Sequence, residues 1–300
     1  MFHVKQTEKK IDITNCPVCG NSKFSKYLDT RDYFFTKEEF SLSKCMECSF
    51  VFTNPIPLNL SRYYETEEYL SHHSEKGGLV SRVYSHIRSL NIQRKYNLVS
   101  NYTKTGSILD IGCGTGELLG YFQKKGWETK GIEPDKNARE VAINKNNIDA
   151  VDEILIDKIP GSSFDVVSMW HVLEHVLDLN CRIKDVKRIT KNNGTMIFAL
   201  PNLNSPDSKK YGKYWSALDV PRHLYHFTQE SFEKLISKHD LELVHAEPMK
   251  FDAFYVSMLS EKYLNNKMPL ISAALTGLKS NNMAKKKNNY SSMIFVVKNK

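Results

Sequence analysis

The fold is decided by one stretch of the chain, Ile108-Leu109-Asp110-Ile111-Gly112-Cys113-Gly114-Thr115-Gly116-Glu117-Leu118-Leu119. An apolar run ends in an acid, breaks into a glycine-rich turn and continues as a helix, as in α/β proteins that hold a nucleotide-like cofactor. A dinucleotide-binding turn needs the spacing G-x-G-x-x-G, but Glu117 stands in the place of the last glycine. A carboxylate suits a helix N-terminus but repels a phosphate bound there, and Asp110 adds a second negative group. The turn therefore predicts a cofactor with a positive end and no phosphate.

A second acid, Glu133, follows the next predicted strand, residues 128–132. In this order and at this separation, the two motifs resemble the class I S-adenosylmethionine-dependent methyltransferases, whose first motif is D-x-G-x-G-x-G. The resemblance implies that the glycine turn passes under the amino-acid end of S-adenosylmethionine and that the second acid accepts hydrogen bonds from the ribose hydroxyls. One carboxylate can accept from two neighbouring hydroxyls at once. The implied cofactor-binding residues are Asp110, Gly112, Gly114, Gly116 and Glu133.

Beyond Glu133 the chain alternates predicted helices and strands, which indicates an α/β fold with helices on both faces of a parallel sheet. The predicted helices cover residues 136–146, 179–190 and 228–238, and the predicted strands cover residues 148–151, 164–170, 194–200, 241–245 and 292–297. The resemblance spans about residue 80 to the end and implies a Rossmann-like sheet whose last strand is antiparallel. It also implies that Asp152, directly after the third strand, hydrogen-bonds the adenine amine.

Composition describes an ordinary globular protein, because 41% of the 300 residues are hydrophobic and 25% are charged. The 42 basic and 34 acidic residues give a formal net charge of +8, which permits binding to RNA or an anionic surface without requiring it. Residues 1–10 lack the apolar core of a secretory signal. Residues 268–278, the most apolar candidate, are too short to span a membrane and could at most lie on a surface. We expect a cytoplasmic protein, and the sequence does not indicate an oligomeric state.

Two C-x-x-C knuckles, Cys16 with Cys19 and Cys45 with Cys48, predict a structural zinc site, because four thiolates complete a tetrahedral Zn²⁺. A disulfide pairing does not suit the expected compartment, and redox use of one pair would leave the other unexplained. The aromatic-rich segment between the knuckles suits short ribbon strands. We assign residues 1–57 to a zinc ribbon whose metal supplies folding energy.

Residues 58–105 are predicted to form a helical linker, and residues 106–300 the methyltransferase domain. In the family that the chain resembles, the segment ahead of the first motif often folds over the cofactor as a lid. Tyr63, Tyr64 and Tyr69 can serve in such a lid or pack in a core.

Residues 171–175, His-Val-Leu-Glu-His, match the H-x-x-E-H pattern of inverted zinc peptidases. We discount this match because the run directly follows a predicted strand, where α/β proteins gather their ligands. Together with the tryptophan before it, the run resembles a small-molecule subgroup of methyltransferases that includes the ubiquinone O-methyltransferase type. The resemblance implies that Trp170 and His171 flank the sulfonium, and that Glu174 and His175 begin the next helix, facing the acceptor. Either histidine can act as a base or merely hydrogen-bond the backbone.

Residues 201–227 form an insertion rich in aromatic, histidine and arginine side chains, and such insertions usually cap or line a site. The same subgroup shows a tryptophan, a P-R-H-L run and an F-T pair there. His223 is thus a further candidate base. Arg222 is expected to bind either an acidic acceptor or an internal carboxylate.

These features predict methyl transfer from S-adenosylmethionine to a small-molecule or carrier-bound acceptor, with most of the rate arising from in-line positioning. One alternative is an RNA methyltransferase that docks through the ribbon, which the positive charge favours. Against it, the strand ends in Trp170-His171 and not in an N-P-P-Y motif. Another alternative is a scaffold that binds the cofactor without transferring its methyl group. The residues do not indicate whether oxygen, nitrogen or carbon is methylated.

Overall fold

The computed structural model describes residues 10–64 and 79–300, with only the backbone described for residues 79–87. The strands are β1 (Lys10–Ile11), β2 (Phe24–Arg31), β3 (Glu39–Cys45), β4 (Val51–Thr53), β5 (Ile56–Pro57), β6 (Ser107–Ile111), β7 (Glu128–Ile132), β8 (Asp149–Val151), β9 (Phe164–Trp170), β10 (Thr190–Pro201), β11 (Tyr225–His226), β12 (Leu241–Pro248) and β13 (Ser292–Asn299). The α-helices are α1 (Leu79–Ser100), α2 (Glu117–Gln123), α3 (Lys136–Asn146), α4 (Leu179–Ile189), α5 (Pro206–Tyr211), α6 (Gln229–Ser237), α7 (Asp252–Tyr263) and α8 (Pro269–Ala284).

The main sheet has seven strands in the order β12-β13-β10-β9-β6-β7-β8. The strands β10, β9, β6, β7 and β8 are parallel, and β13 is antiparallel to both of its neighbours. Successive residues of β6 face opposite sides, so Leu109 joins a core with α4 and α6 while Ile108 joins a core with α1 and α2. The predicted α/β class, with helices on both faces and an antiparallel last strand, is confirmed.

A second, four-stranded sheet carries the cysteine knuckles and has the order β11-β4-β3-β2. The ribbon strands predicted between the knuckles are present as β2 and β3. The insertion contributes β11, which pairs antiparallel with β4, and the ring of Phe50 stacks on that of Tyr225 at 5.9 Å. Cys16 and Cys45 belong to the same apolar core as Val167 in the main sheet. The ribbon therefore shares its core with the rest of the protein. The sequence did not predict this link, because β11 has only two residues and so shows no periodic pattern.

The structure corrects the prediction for the run after β9. Glu174 and His175 do not begin the next helix, because Leu173–His175 is a separate turn of 3₁₀ helix. The helix α4 starts only at Leu179, where the side chain of Asp178 accepts a hydrogen bond from the backbone of Cys181 at 3.0 Å.

The helices α7 and α8 lie between β12 and β13 and are absent from the predicted helices, although α8 contains most of the apolar segment of residues 268–278. The reason is that α8 buries small residues and exposes large apolar ones, the reverse of the usual pattern. Among the described residues, no helix has the length and apolar character that crossing a bilayer requires.

Candidate active site

The glycine turn after β6 adopts the backbone that its sequence predicts. Gly112, Gly114 and Gly116 all have positive φ, at +76°, +54° and +77°. A Cβ on Gly112 would lie 2.4 Å from Val172, whereas a Cβ on Gly114 would meet nothing within 4 Å. The turn is thus packed at its start and open above Gly114, which leaves the backbone accessible to a ligand.

Asp110, the acid before the turn, is 3% exposed. Its Oδ1 accepts a hydrogen bond of 2.6 Å from the hydroxyl of Ser168 on β9. Burial raises the pKa of Asp110 to about 7, against the opposing effects of Ser168 and the cation of Lys95. A cationic ligand would favour the ionised form of this carboxyl.

Glu133 lies at the end of β7, where parallel strands present their ligands. Its two oxygens accept hydrogen bonds from the backbone amides of Gly114 at 2.7 Å and Asp135 at 2.9 Å. These bonds fix the carboxylate beside the glycine turn, although burial raises its pKa. Asp152, after β8, instead accepts from the amide of Ile154 at 3.1 Å and lies 3.0 Å from the guanidinium of Arg139.

Trp170 ends β9, and the ammonium of Lys95 from α1 lies 4.2 Å from the centre of its ring. Burial lowers the pKa of Lys95, while Asp110 and Asp252 oppose that effect. Sequence reasoning missed Lys95, because one lysine on a long helix differs in no way from its solvated neighbours.

His171 adopts a positive φ of 57°, which a non-glycine residue rarely does. Its Nδ1 lies 3.4 Å from Oε1 of Glu174, and its Nε2 lies 3.3 Å from Oδ2 of Asp252, the first residue of α7. Burial opposes a charge on this ring, but the two carboxylates outweigh it and raise its pKa to about 9. His171 is therefore an imidazolium at neutral pH. Asp252 was also missed, since it lies far along the chain and outside any motif.

Glu174 is fully buried, and neither of its carboxylate oxygens has a hydrogen-bond partner among the described residues. Burial alone would raise its pKa, but the charge of His171 outweighs this effect and lowers it. The pair therefore keeps a buried negative charge compensated.

His175 and His223 form a second pair, with ring centres 4.6 Å apart. Nδ1 of His175 lies 3.0 Å from the carbonyl oxygen of Arg222, and Nδ1 of His223 lies 2.8 Å from that of Ala217. A carbonyl can only accept, so both rings carry a proton on Nδ1, and in the neutral form of each ring Nε2 is the acceptor. Burial and the neighbouring His223 lower the pKa of His175 to about 4. One ligand atom each from Glu174, His175 and His223 lies within 4.8 Å of the others.

Arg222 pairs with carboxylates of the protein itself and is not available to bind an acidic methyl acceptor. It is 1% exposed and pairs with Asp32 of the ribbon at 2.8 Å and with Asp219 at 2.7 Å, which matches the internal-carboxylate alternative. Tyr63 is buried in a core, while the hydroxyl of Tyr64 lies 3.0 Å from Nδ1 of His175. The predicted lid residue Tyr69 lies outside the described residues.

The four cysteines of the knuckles converge at one end of the ribbon. Sγ of Cys16 lies 3.5 Å from Sγ of Cys48, Sγ of Cys19 lies 3.5 Å from Sγ of Cys45, and all four lie within 4.8 Å of one another. A disulfide requires about 2.05 Å, whereas sulfurs at about 2.3 Å from a tetrahedral Zn²⁺ are about 3.8 Å apart. The geometry fits a shared metal and not a pair of disulfides.

The residues at the strand ends also fit S-adenosylmethionine. The open backbone at Gly114 and the acids Asp110 and Glu133 suit a ligand that is both cationic and hydroxyl-bearing. The indole Nε1 of Trp170 is buried without a hydrogen-bond partner among the described residues, as expected of a polar atom at an incomplete site.

The family model of a methyltransferase domain matches residues 84–246, more than half of the chain. A ubiquinone biosynthesis O-methyltransferase from Pelagibacter ubique is 37% identical over 107 residues, which are 33% of this chain and 43% of that relative. One from Rhodopseudomonas palustris is 34% identical over 104 residues, 32% of this chain and 40% of the relative. The chain thus spans about two fifths of the length of these relatives.

Among solved structures, magnesium protoporphyrin IX methyltransferase from Synechocystis PCC 6803, with bound SAH, is similar with a TM-score of 0.52 and 12% identity. The match covers 80% of this chain and 97% of that one. A putative sarcosine dimethylglycine methyltransferase from Galdieria sulphuraria has a TM-score of 0.50 and 12% identity, covering 72% and 87%. These likenesses support the fold, and the family match supports the expected resemblance. The chain belongs to the methyltransferase domain family.

Proposed function

We propose that the protein transfers a methyl group from S-adenosylmethionine to a small-molecule or carrier-bound acceptor. The observation that carries the proposal is the placement of two acids, Asp110 and Glu133, on either side of an open glycine turn at the ends of adjacent parallel strands. In the bound cofactor, Glu133 would accept hydrogen bonds from the ribose hydroxyls and Asp110 would face the cationic amino-acid end. Asp152 remains the candidate for the adenine amine, because it follows the next strand of the sheet.

Lys95 is the candidate to bind the carboxylate of the cofactor, because its ammonium lies over Trp170 and interacts with Asp110. Trp170 is the candidate to flank the sulfonium, whose positive charge suits the face of an indole. When bound, S-adenosylmethionine supplies an electrophilic methyl group, and the protein positions the acceptor in line with it.

His175 and His223 are the candidates for the proton acceptor, since each presents a bare Nε2. His171 does not suit this role, because an imidazolium has no lone pair to accept a proton. In the proposed arrangement, His171 and Glu174 instead hold the turn that carries His175.

Binding of the cofactor tests the core of the proposal. Glu133→Gln should weaken S-adenosylmethionine binding in calorimetry by about tenfold or more, since it removes a charged acceptor for the ribose hydroxyls. Glu128→Gln is the matched control, because Glu128 is exposed at the opposite end of the same strand. Equal affinity of Glu133→Gln and wild type would refute the assignment.

Transfer is tested separately, by incubating extract fractions with the protein and isotope-labelled S-adenosylmethionine. We expect label in the small-molecule fraction and its loss in a His175→Ala/His223→Ala variant. Label in RNA would support the alternative of an RNA methyltransferase. Cofactor binding without transfer to any fraction would support the scaffold alternative.

We further propose that Cys16, Cys19, Cys45 and Cys48 bind one structural Zn²⁺. The closed set of four thiolates leaves no position for water or substrate, so the metal would stabilise the ribbon and not take part in transfer. We propose an organisation in three parts: a ribbon of residues 1–57, a linker of residues 58–105 and a methyltransferase domain of residues 106–300. Elemental analysis should find about one zinc per chain, and a metal-free, fully folded protein would refute the site.

A further inference from the structure

The helix α8 presents its large apolar side chains to solvent and its small ones to the protein. Ala273 and Gly277 are buried, and a Cβ on Gly277 would lie 2.6 Å from the ring of Phe254 on α7. The opposite face of α8 carries a stripe of large apolar side chains that are mostly exposed to solvent: Leu270 is 68% exposed, Ile271 58%, Leu275 64% and Leu278 61%. A helix that needed only to stay in solution would carry polar residues on this face. A contiguous apolar stripe of this kind indicates a binding surface.

The charged residues that follow Glu261 along the chain, and so flank this stripe in sequence, are all positive. Every charged side chain beyond Glu261 is a lysine, and the eight positions are Lys262, Lys267, Lys279, Lys285, Lys286, Lys287, Lys298 and Lys300. Removing these eight from the 42 basic residues of the chain leaves 34, equal to the 34 acidic residues. The whole formal net charge of +8 therefore belongs to the segment that contains α8.

The lysines lie where they extend the apolar stripe. Ile271, Leu275 and Lys279 follow one another at intervals of four residues, which places them on one face of α8. Lys267 lies two residues before the helix start at Pro269. Lys279 follows Leu278, and Lys285, Lys286 and Lys287 come directly after the helix end at Ala284. All five of these lysines are exposed. The stripe thus has an apolar centre and a cationic group at each end.

We propose that α8 binds the surface of an anionic membrane, lying in the interface with Leu270, Ile271, Leu275 and Leu278 inserted among the acyl chains. Apolar side chains bordered by lysines are the composition of interfacial helices, in which burial and attraction to anionic headgroups add together. The polar and small inner face stays on the protein: Ser280 donates to Asp207 at 2.7 Å and Ser272 to Glu261 at 2.8 Å.

A second copy of the chain fits this surface less well. A two-fold dimer through the stripe would bring the lysines of both copies together, and the segment contains no acid to pair with them. RNA also fits less well, since single-stranded nucleic acid is bound by aromatic side chains within a basic groove. The helix α8 has no aromatic residue.

The test is sedimentation of the full chain with vesicles of phosphatidylcholine alone or mixed with phosphatidylglycerol. We expect binding to the mixed vesicles only, weakening as salt is raised. Leu275→Ser/Leu278→Ser should lower the partition coefficient by about tenfold or more, since two apolar side chains no longer enter the bilayer. Ile143→Ser on α3 is the matched control, because Ile143 is an apolar side chain that is 43% exposed on another helix, and it should bind as the wild type does.

A variant that removes charge separates the attraction to anionic headgroups from the insertion of apolar side chains. Lys285→Gln/Lys286→Gln/Lys287→Gln should weaken binding to mixed vesicles and reduce its salt dependence, whereas Lys124→Gln/Lys125→Gln after α2 should not. The proposal is overturned if the wild type does not sediment with mixed vesicles, or if the α8 variants bind as well as the wild type. It is also overturned if light scattering shows a dimer that Leu275→Ser/Leu278→Ser converts to monomer without any vesicle binding, or if bulk RNA is bound and vesicles are not. Because the assay contains neither cofactor nor acceptor, its result is independent of the proposed methyl transfer.

Discussion

Binding of S-adenosylmethionine should depend on pH through Asp110. The carboxyl is 3% exposed and has a pKa of about 7 without ligand, because burial disfavours its charge. If the cationic cofactor binds only when Asp110 is ionised, affinity falls by the factor 1 + 10^(pKa − pH). This factor is about 11 at about pH 6 and about 2 at about pH 7. We therefore expect affinity to rise about fivefold over that interval.

The assay is calorimetric titration of S-adenosylmethionine at several pH values over this interval, with Asp110→Asn as the control. The variant keeps the shape and one acceptor of the side chain but cannot titrate. It should bind more weakly at neutral pH, and its affinity should no longer change by the same factor. Titration of the cofactor's own amino group affects both proteins equally, so the difference between them isolates Asp110. Wild-type affinity that is constant over the interval, or a variant with the same pH profile as the wild type, would refute the reasoning.

Three further predictions concern stability. Cys19→Ser should remove the zinc that elemental analysis detects in the wild type. It should also lower the melting temperature of the whole chain in a single transition, because the two sheets share a core and the ribbon does not unfold separately. Arg222→Met should destabilise the fold by about 3 kcal/mol in urea unfolding, since it leaves the buried Asp32 without its cation, and adding Asp32→Asn should restore part of that loss. Burial lowers the pKa of His175 to about 4 and that of His226 to about 3. Below about pH 6.5 the unfolded chain therefore binds more protons than the folded chain. The free energy of unfolding should fall as the pH drops towards about 4, by on the order of 2–3 kcal/mol for each histidine. Urea unfolding that is unchanged over this range would contradict the burial of both rings as neutral groups.

The parts of the site that local sequence predicts are those where one strand, its turn and the next acid are contiguous. Asp110, Gly114 and Glu133 were predictable because a parallel sheet brings the ends of adjacent strands together whatever else the chain does. Lys95 and Asp252 were not, because they reach the site from α1 and α7, whose approach depends on tertiary packing and leaves no spacing to read.

The same limit applies to the link between ribbon and insertion. Arg222 and Asp32 are far apart in the chain, and each alone is consistent with a surface charge. Only the pairing of β11 with β4 brings them together, and a strand of two residues has no periodicity. The expectation that Glu174 and His175 begin the next helix was wrong for a related reason, because Leu173–His175 form a separate 3₁₀ turn in which Glu174 pairs with His171. The helix itself starts at Leu179, where it was predicted.

The division of charge across the site accounts for how it can favour a cationic cofactor without trapping it. Glu174 is the more deeply buried acid, but His171 already neutralises it, so it offers little attraction to a second cation. Asp110 has no such close partner, since Ser168 donates to it and Lys95 interacts at longer range. Its pKa of about 7 means that a bound positive charge favours its ionised form and loss of that charge favours its protonation. Methyl transfer turns the sulfonium into a neutral thioether, so in the proposed reaction the attraction of the Trp170 ring to the cofactor weakens at the step after which the product must leave, whereas the ammonium that faces Asp110 keeps its charge.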